Sequence, residues 1–423
     1  MSRSPSMIAT TSAIRTCVRG DSNHVQRQPV DDQLRATPPV AASRTMLLLA
    51  VTVFASAGTV HFQTPMLGRF AVEFAATPAA IGWIPTLSFG GFLAGIVFLV
   101  PLGDRVDKRR LILAHLIGLI AAVLGMAASP ALPFLWLASF AIGVFASLSQ
   151  YVVPLAVELA PVHARGAAVG SVMSGLFLGI LFGRVAGGIV AATLGWRWMY
   201  VISALMLATL LACLATRLPA SPPRTTHRYG DLLRSLVALY RREPLLRRAS
   251  IVQFLLALGY GGFWATIAAM LAARFGYGPT VAGLIGIPGA AGLLVARPAG
   301  RALDRHGPAP VVTSGIALFA FAFVVLAFGA TTIVAVIAGA ALLDCGLRAA
   351  MVANQTLVTS VDPQARSRLN TLFQAHMWGG NAVGAVIAST ALTRAGWLAV
   401  CAIAFGAATL AVVVQRLMRA QDA

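Results

Sequence analysis

The chain has 423 residues, of which 58% are hydrophobic and only 11% are charged, whereas a soluble domain carries charge on about a quarter of its residues. Its mean hydropathy is +0.82. So few polar residues cannot cover the surfaces of the two or three domains that a soluble chain of this length would form. The composition therefore excludes a soluble enzyme and predicts a protein that lies in a lipid bilayer.

Twelve stretches are apolar enough to cross the hydrocarbon layer as helices, since a crossing of about 30 Å takes roughly 20 residues. They are continuously apolar, unlike the alternating strands of a membrane barrel. Numbered as spans 1 to 12, they cover residues 46–67, 81–103, 111–129, 134–156, 167–192, 196–216, 249–272, 279–302, 310–328, 331–357, 369–392 and 396–415. The sequence thus predicts an all-α membrane protein with 12 transmembrane helices.

The two ends of the chain differ from the spans. Residues 1–45 are rich in Ser, Thr, Pro and Arg and have no sustained apolar period, so we expect a disordered cytoplasmic tail. They contain no apolar core with a cleavage site, and we expect no cleaved signal peptide. Met46 at the border of span 1 leaves a later translation start open. Residues 418–423 are expected to form a short C-terminal tail.

The net charge is +19, and all but one of the 32 basic residues are arginines. Of these 32, 26 lie in the N-terminal tail, in loops from even to odd spans or at the span ends next to them, or at the C-terminus, and four lie in or next to loops on the other face. The positive-inside rule then predicts that both termini are cytoplasmic. Arginine at 31 of the 32 basic positions indicates a GC-rich genome, so we expect the inner membrane of a bacterium. Because the charge is spread over many short loops, it does not indicate nucleic-acid binding.

The longest internal loop, residues 217–248, separates spans 6 and 7 and is strongly basic. Its leucines at 232, 233, 236 and 239 and Val237 predict a short amphipathic helix on the cytoplasmic leaflet. This linker divides the chain into bundles of six helices at 46–216 and 249–417.

Three dipeptides recur at an offset of 200 or 201 residues, each at the same place in its half. Two parallel halves of this kind are typical of secondary transporters, whose substrate site lies between them at the membrane midplane. The pairs are Asp104-Arg105 with Asp304-Arg305, Ala164-Arg165 with Ala365-Arg366, and Gly195-Trp196 with Gly396-Trp397. We therefore expect two pseudo-symmetric six-helix bundles.

The loop after span 2 reads VPLGDRVDKRR over residues 100–110. It keeps the Asp, the first Arg and the basic run of the motif G-x-L-x-D-R-x-G-R-K-R, and with it the sequence resembles the major facilitator superfamily over residues 46–417. The resemblance implies the fold of that family and a cytoplasmic gate at Asp104, Arg105 and Arg109, repeated at Asp304 and Arg305. A carboxylate beside guanidinium groups can lock one conformation. The alternative is that these charges serve topology only.

Span 5 carries glycines at the spacing G-x8-G-x3-G-P-x2-G-G, which in this family is typical of antiporters. They are Gly170, Gly179, Gly183, Gly187 and Gly188. The alternative is a tight helix interface without bearing on transport direction. Arg184 stands where the motif has Pro, and the stretch 139–143 in span 4 lacks the Arg and Gln of the motif R-x-x-Q-G.

Three charged residues lie well inside spans, away from the span ends, where such groups usually face a cavity or a partner. Asp344 and Arg348 are four residues apart in span 10 and share a face. Asp344 is a candidate proton-binding acid, or else the two form a static pair. Arg184 in span 5 has no acid on its own helix. It is a candidate for contact with an anionic substrate, with Asp344 across the halves, or with the outer interface.

Other polar and aromatic residues in the spans are candidates for a mostly apolar substrate pocket or for simple interhelical hydrogen bonds. They are His61, Gln150, Tyr260, Trp264, His376 and Asn381. The two histidines are also candidate proton carriers.

The sequence lacks a phosphate-binding loop and any metal-ligand cluster, so we expect no cofactor, no metal and no enzyme activity. It predicts proton-coupled efflux of a small amphipathic or drug-like solute by a monomer that alternates its access. The alternative is transport of an organic anion or another metabolite. A third interpretation is a receptor or scaffold on the same fold that transports nothing.

Overall fold

The computed structural model describes residues 39–221, 228–362 and 365–420, and every regular element in these ranges is helical. Side chains are described from residue 44 onward, apart from those of residues 104, 296 and 418–420. The predicted N-terminal tail therefore lies outside the described residues, except that 39–45 already belong to the first helix.

The first half of the chain contains eight α-helices that make six crossings. Two of the crossings are interrupted: the first consists of α1 and α2 on either side of a 3₁₀ turn, and the fourth consists of α5 and α6. The helices are α1 (Pro39–His61), α2 (Leu67–Glu73), α3 (Pro78–Ala94), α4 (Lys108–Ala127), α5 (Leu132–Ala146), α6 (Ser149–Leu159), α7 (Arg165–Thr193) and α8 (Trp196–Arg217).

The second half begins after α9 (Tyr229–Arg242). The eighth crossing of the chain, which is the second of this half, is interrupted between α11 and α12 by a 3₁₀ turn that contains Pro288. The helices are α10 (Pro244–Phe275), α11 (Pro279–Leu284), α12 (Gly292–His306), α13 (Pro308–Ala327), α14 (Ile333–Ser360) and α15 (Arg366–Ala420).

Eleven helical stretches of the described chain are long and apolar enough to cross a membrane. The longest, within α15, contains a non-helical residue at Gly396, with φ 78° and ψ −169°, and so provides two crossings. The prediction of twelve transmembrane helices in an all-α protein is confirmed.

The sequence repeat corresponds to a structural repeat. Gly195 and Gly396 both have positive φ, 95° and 78°, a region that glycine enters without steric cost. Each is followed by a tryptophan that starts the last crossing of its half. Likewise, Arg165 and Arg366 are the first residues of α7 and α15. The two halves therefore start and end corresponding helices at corresponding residues.

Each half has its own large apolar core. The halves also touch, because α3 packs against α15, where the rings of Phe92 and Trp378 stack with centroids 4.0 Å apart. Glycines allow a second close contact, between the end of α7 and α11. A Cβ on Gly188 would lie 2.4 Å from the carbonyl oxygen of Pro279.

The helix predicted in the basic linker exists as α9, and part of its apolar face packs against the bundle. Leu236 and Leu239 are buried, and Leu239 packs against Leu246, Leu369 and other residues of the second half. Only Glu243 separates α9 from α10, so the chain holds α9 against the bundle. Leu236 and Leu239 thus contact protein, whereas Val237 on the same helix is exposed. We call this end of the molecule the α9 side and the other end the opposite side.

Candidate functional site

A cavity of about 960 Å³, including its open mouth, lies between the two halves and is called here the central cavity. The first half lines it with α1, α3, α6 and α7, and the second half with α10, α14 and α15. Aromatic and methionine side chains make up much of the wall. They are Phe89, Phe92, Phe177, Tyr260, Trp378, Met173, Met351 and Met377. A mostly apolar wall with a few polar groups is typical of sites for small organic molecules.

The central cavity brings together five of the residues that the sequence singled out, namely His61, Gln150, Tyr260, Arg348 and Asn381. Nδ1 of His61 lies 2.9 Å from the carbonyl oxygen of Ala57 and donates to it, which leaves Nε2 as an acceptor. Asn381 donates from its amide nitrogen to the carbonyl oxygen of Met377 at 3.0 Å.

A smaller cavity of about 260 Å³, including its open mouth, is called here the polar pocket and adjoins the central cavity. The two share four lining residues, Phe177, Ile180, Tyr260 and Arg348. Arg184 and Asp344 line only the polar pocket. The three ionisable residues predicted inside the spans are thus collected at one place between the halves.

Arg184 reaches from α7 in the first half to α10 in the second. Its side chain is 3% exposed, and its Nη2 donates to the hydroxyl of Tyr260 at 3.2 Å. The guanidinium carbon lies 3.5 Å from the ring centroid of Trp264, a cation–π contact. Trp264 lines neither cavity and forms a platform for the arginine. Arg184 therefore does contact the other half, but its partners there are Tyr260 and Trp264. No ion pair of Arg184 with Asp344 is seen among the described residues, so the interpretations left open for Arg184 remain predictions.

Asp344 and Arg348 face each other on α14, but their pairing is loose. Oδ1 of Asp344 lies 3.7 Å from Nε of Arg348, beyond hydrogen-bond distance, and neither atom has a hydrogen-bond partner in the described structure. Asp344 is 3% exposed. Its other oxygen lies against Gly292 of α12, where an added Cβ would come within 2.3 Å of Oδ2.

His376 lies away from both cavities and contacts the linker helix. Its ring stacks on Tyr240 of α9, and the Tyr240 hydroxyl donates to Nε2 at 3.1 Å. Burial raises the pKa of this hydroxyl, although nearby Arg247 opposes the effect, so the group stays a donor at neutral pH. At the other end of α9, the Tyr229 hydroxyl donates to the carbonyl oxygen of Phe98 at 2.6 Å. The helix α9 is thus bound to both halves.

Four of the five glycines in the span 5 pattern lie at close backbone contacts. Added Cβ atoms on Gly179, Gly183 and Gly187 would lie 2.3, 2.6 and 2.8 Å from carbonyl oxygens of residues 54, 58 and 62 in the first crossing. Gly188 touches α11 as described above. Gly170 has no atom within 4 Å of such a Cβ. These contacts are those of a tight helix interface.

The predicted gate residues do not form one cluster in the described structure. Arg105, Asp304 and Arg305 are exposed. Arg109 donates to the carbonyl oxygen of Ala215 at 2.5 Å. The side chain of Asp104 lies outside the described residues.

A buried ion pair that sequence reasoning missed lies next to these residues. Lys108 and Glu158 are 2.6 Å apart, with side-chain exposures of 6% and 15%. Glu158 also accepts from the hydroxyl of Ser221 at 3.2 Å, and Asp107 accepts from the backbone amide of Ser221 at 3.0 Å. The network fixes the start of the linker to the first half. One signal was available, since Lys108 is the sole lysine of the chain.

Gly292 and the aromatic wall residues Phe177 and Trp378 are further parts of the site that the sequence did not single out. Nothing in the local pattern distinguishes Gly292 from the other 39 glycines. Its role follows only from its contact with Asp344.

Comparison with known proteins identifies the family. The chain matches the Major Facilitator Superfamily over residues 48–249 and 249–422. It is 35% identical over 373 residues to the probable transporter SCO4007 of Streptomyces coelicolor, covering 87% of this chain and 86% of that protein. It is 32% identical over 369 residues to the putative uncharacterized transporter YgaY of Escherichia coli, covering 87% and 93%.

More distant relatives agree with this assignment. A multidrug resistance protein B homolog of Mycobacterium tuberculosis is 25% identical over 391 residues, covering 77% of this chain and 71% of that protein. A solved bacterial homolog of the human lysosomal transporter Spinster, in an inward-facing, unoccupied conformation, superposes with a TM-score of 0.72 at 15% identity, covering 91% and 96%. The chain belongs to the major facilitator superfamily and is a multi-pass membrane transporter, not an enzyme.

Proposed function

We propose that this transporter exports a small amphipathic or drug-like solute through the central cavity in exchange for protons. The observation that carries the proposal is the cavity itself, a mostly apolar space between the halves that joins a charged pocket. An apolar body fits the aromatic and methionine wall, and a polar group fits the His61, Gln150, Asn381 and Arg348 side chains.

Alternating access is supported by the contacts at the two ends. On the opposite side, α7 and α11 pack backbone to backbone at Gly188. On the α9 side, a further cavity lies beneath α9 and shares Gln150 with the central cavity. A rocking motion that opened the Gly188 contact and closed the space beneath α9 would expose the site to the other face.

Asp344 is the proton-binding group in this proposal. Among the residues that line the central cavity and the polar pocket, it is the one carboxylate. A solute and a proton are coupled when each changes the affinity for the other or the balance between conformations.

Export as the direction is supported by the span 5 glycine pattern and by the name of the multidrug resistance relative. The close glycine contacts equally serve helix packing, so direction needs its own test. In proteoliposomes with an imposed proton gradient, addition of a transported amphipathic solute is expected to dissipate the gradient. Solute movement that does not depend on the gradient would contradict the proposal.

An organic anion or another metabolite is the second candidate solute, and the positions of Arg184 and Arg348 favour it. Both guanidinium groups line the polar pocket against a single carboxylate. The test is counterflow of a panel of organic anions by the wild type and by Arg184→Ala. Unchanged counterflow of every anion by the variant would contradict this candidate.

For the topology we propose cytoplasmic termini, a cytoplasmic α9 side and a monomer in the inner membrane. The arginine-rich loops support this orientation. Single cysteines introduced at Arg234 on α9 and at Trp198 on the opposite side are expected to differ in labelling. A membrane-impermeant maleimide applied to intact cells should reach the second position and not the first.

A further inference from the structure

We infer that the polar pocket binds the anionic group of an amphipathic solute, and that one proton binds to Asp344 together with that anion. The inference rests on the second candidate function given above, transport of an organic anion, and specifies the substrate class and the coupling of that transport. The solute would be a monoanion whose apolar, preferably aromatic, body lies in the central cavity.

The charge of the pocket supports an anion. Two guanidinium groups, of Arg184 and Arg348, face one carboxylate, of Asp344, so the pocket has a formal charge of +1 when Asp344 is ionised. A buried excess charge is unfavourable unless it is paired. Arg184 has Tyr260 and Trp264 as partners, and both are uncharged. The pocket thus lacks one negative charge, which the solute would supply.

The geometry places this charge next to Arg348. Arg348 lines both cavities, so an anion on its guanidinium lies at the junction of the polar pocket and the apolar wall. Phe177 lines both as well, and its ring centroid is 5.1 Å from the Arg348 guanidinium. A solute whose acidic group occupies the junction can therefore extend an aromatic body into the central cavity.

The loose pairing between Asp344 and Arg348 leaves Nε of the Arg348 guanidinium without a hydrogen bond, although Tyr260 and Asp344 both interact with the group. This nitrogen is therefore able to donate to a new partner. The pair is separated by 3.7 Å, and Nε of each arginine and Oδ1 of Asp344 are buried without a hydrogen bond among the described residues. Arginine binds carboxylates best through two parallel hydrogen bonds. An incoming anion that forms them competes with Asp344 for Arg348.

Competition for one guanidinium sets the sign of the coupling. When the anion holds Arg348, an ionised Asp344 would be a buried carboxylate beside a second negative charge, which disfavours the ionised form. Protonation removes that repulsion and raises the charge of the pocket from +1 to +2 before the anion binds. Anion and proton therefore favour each other, and by reciprocity each raises the affinity for the other.

Other titratable groups near Asp344 are few. Its own helix contributes Arg348 and Cys345, α7 contributes Arg184, and α10 contributes Tyr260. His61 on α1 lies within the electrostatic range of both arginines. The facing residues from α12 and the neighbouring 3₁₀ turn are glycine, alanine and leucine. His61 is therefore the group that a test has to separate from Asp344.

Binding of the proton together with the anion sets the direction of transport. A cationic or neutral solute that competes with the proton is exchanged for it, whereas an anion that binds with the proton is carried in the same direction. An inward proton gradient would then drive uptake of the anion rather than export. The sign of the coupling decides between these two modes of transport.

The test compares 2-naphthoate with its uncharged counterpart 2-naphthylmethanol, which has the same ring. Binding to the full-length protein in lipid nanodiscs is measured by calorimetry at pH 5.5 and pH 7.5, where naphthoate stays ionised. We expect naphthoate to bind more tightly than the alcohol, and more tightly at the lower pH. The limit for one coupled proton is about tenfold in affinity per pH unit. The alcohol should show no pH dependence.

Substitutions at Asp344 and His61 identify the residue that binds the proton. Asp344→Asn, which mimics the protonated acid, is expected to bind naphthoate independently of pH, with an affinity at least as high as that of the wild type at pH 5.5. His61→Gln should keep the pH dependence of the wild type. Asp231→Asn, an exposed carboxylate change on α9, is the matched control. If Asp344→Asn does not fold, the comparison of the two probes on the wild type remains decisive.

Three results would overturn the inference: no naphthoate binding at either pH, binding no tighter than that of the alcohol, or binding that strengthens as the pH rises. Transport of uncharged solutes by the same preparation in proteoliposomes distinguishes failure of the anion site from failure of the transport function. If a neutral solute is moved while naphthoate fails, the transport function stands and the anion site is wrong. If no solute of either kind is moved, the proposed function itself fails.

Discussion

The guanidinium of Arg184 lies over the ring of Trp264, 3.5 Å from its centroid, although the two residues belong to different halves of the chain. Both side chains are buried, at 3% and 2% exposure. The contact therefore joins the halves near the end where α7 meets α11. In the rocking motion proposed above, such a contact would stabilise one conformation against the other.

We expect a double-mutant cycle to reveal this contact. Arg184→Gln and Trp264→Leu should each lower the thermal stability of the purified protein, and the double variant should lose less than the sum. The expected coupling is about 2 kcal/mol, the magnitude of a desolvated cation–π pair. Arg274→Gln removes an exposed arginine from the same helix as Trp264 and serves as the control. It should show no coupling with Arg184→Gln. Additive losses for the first pair would mean that the contact contributes nothing.

The glycines of α7 provide a matched pair of substitutions. A Cβ at Gly179 would lie 2.3 Å from the carbonyl oxygen of Phe54, whereas a Cβ at Gly170 meets no atom within 4 Å. Gly179→Ala is therefore expected to destabilise the protein by about 1–3 kcal/mol through overpacking. Gly170→Ala should be neutral or slightly stabilising, because alanine favours helix. Thermal unfolding of both variants in the same detergent is the measurement, and equal melting temperatures would contradict the predicted interface.

The buried pair of Lys108 and Glu158 predicts a different pattern. Glu158→Gln leaves the Lys108 ammonium, whose side chain is 6% exposed, without its charged partner. Breaking a buried pair in this way costs about 3–5 kcal/mol. Replacing both by apolar residues, as Lys108→Met with Glu158→Leu, should recover much of the loss, although the hydrogen bond from Ser221 is also removed. A double variant less stable than Glu158→Gln would show that the charges stabilise the fold on balance.

A substitution at Gly292 can test whether the position of Asp344 matters for transport, because it changes no charge. A methyl group at this position would come within 2.3 Å of Oδ2 of Asp344 and 2.6 Å of Cγ of Arg348, so the acid has to move. We expect Gly292→Ala to reduce proton-coupled transport by about tenfold or more, since displacing a functional group by 1 Å has effects of that order. Gly300→Ala on the same helix meets no atom within 4 Å and is the control. Equal transport rates for the two folded variants would remove Asp344 from the coupling.

Much of the architecture was predictable because it depends on local composition. The spans follow from continuous apolar runs, and the repeat follows from short motifs such as Gly195-Trp196 and Gly396-Trp397. The interruptions of spans 1, 4 and 8 were not predicted. They depend on where prolines such as Pro65 and Pro288 meet the packing of neighbouring helices.

The candidate site was predictable in its members and not in its arrangement. An ionisable residue in an apolar span stands out in the sequence, and Asp344, Arg348 and Arg184 were found in this way. Their grouping in one pocket, the platform of Trp264 and the contact of Gly292 with Asp344 were beyond the sequence. His376 had the same signal as His61, yet it contacts α9 while His61 lines the central cavity.

The sequence by itself determined that the chain is a membrane protein of twelve helices in two related halves. Hydropathy and short motifs are properties of neighbouring residues. Because exposing polar backbone groups to lipid is costly, a long apolar stretch has to cross the membrane as a helix. The tertiary structure alone decided which helix faces meet. Arg184 finds its partners 76 and 80 residues away on α10 because packing between helices, rather than any local pattern, brings those surfaces together.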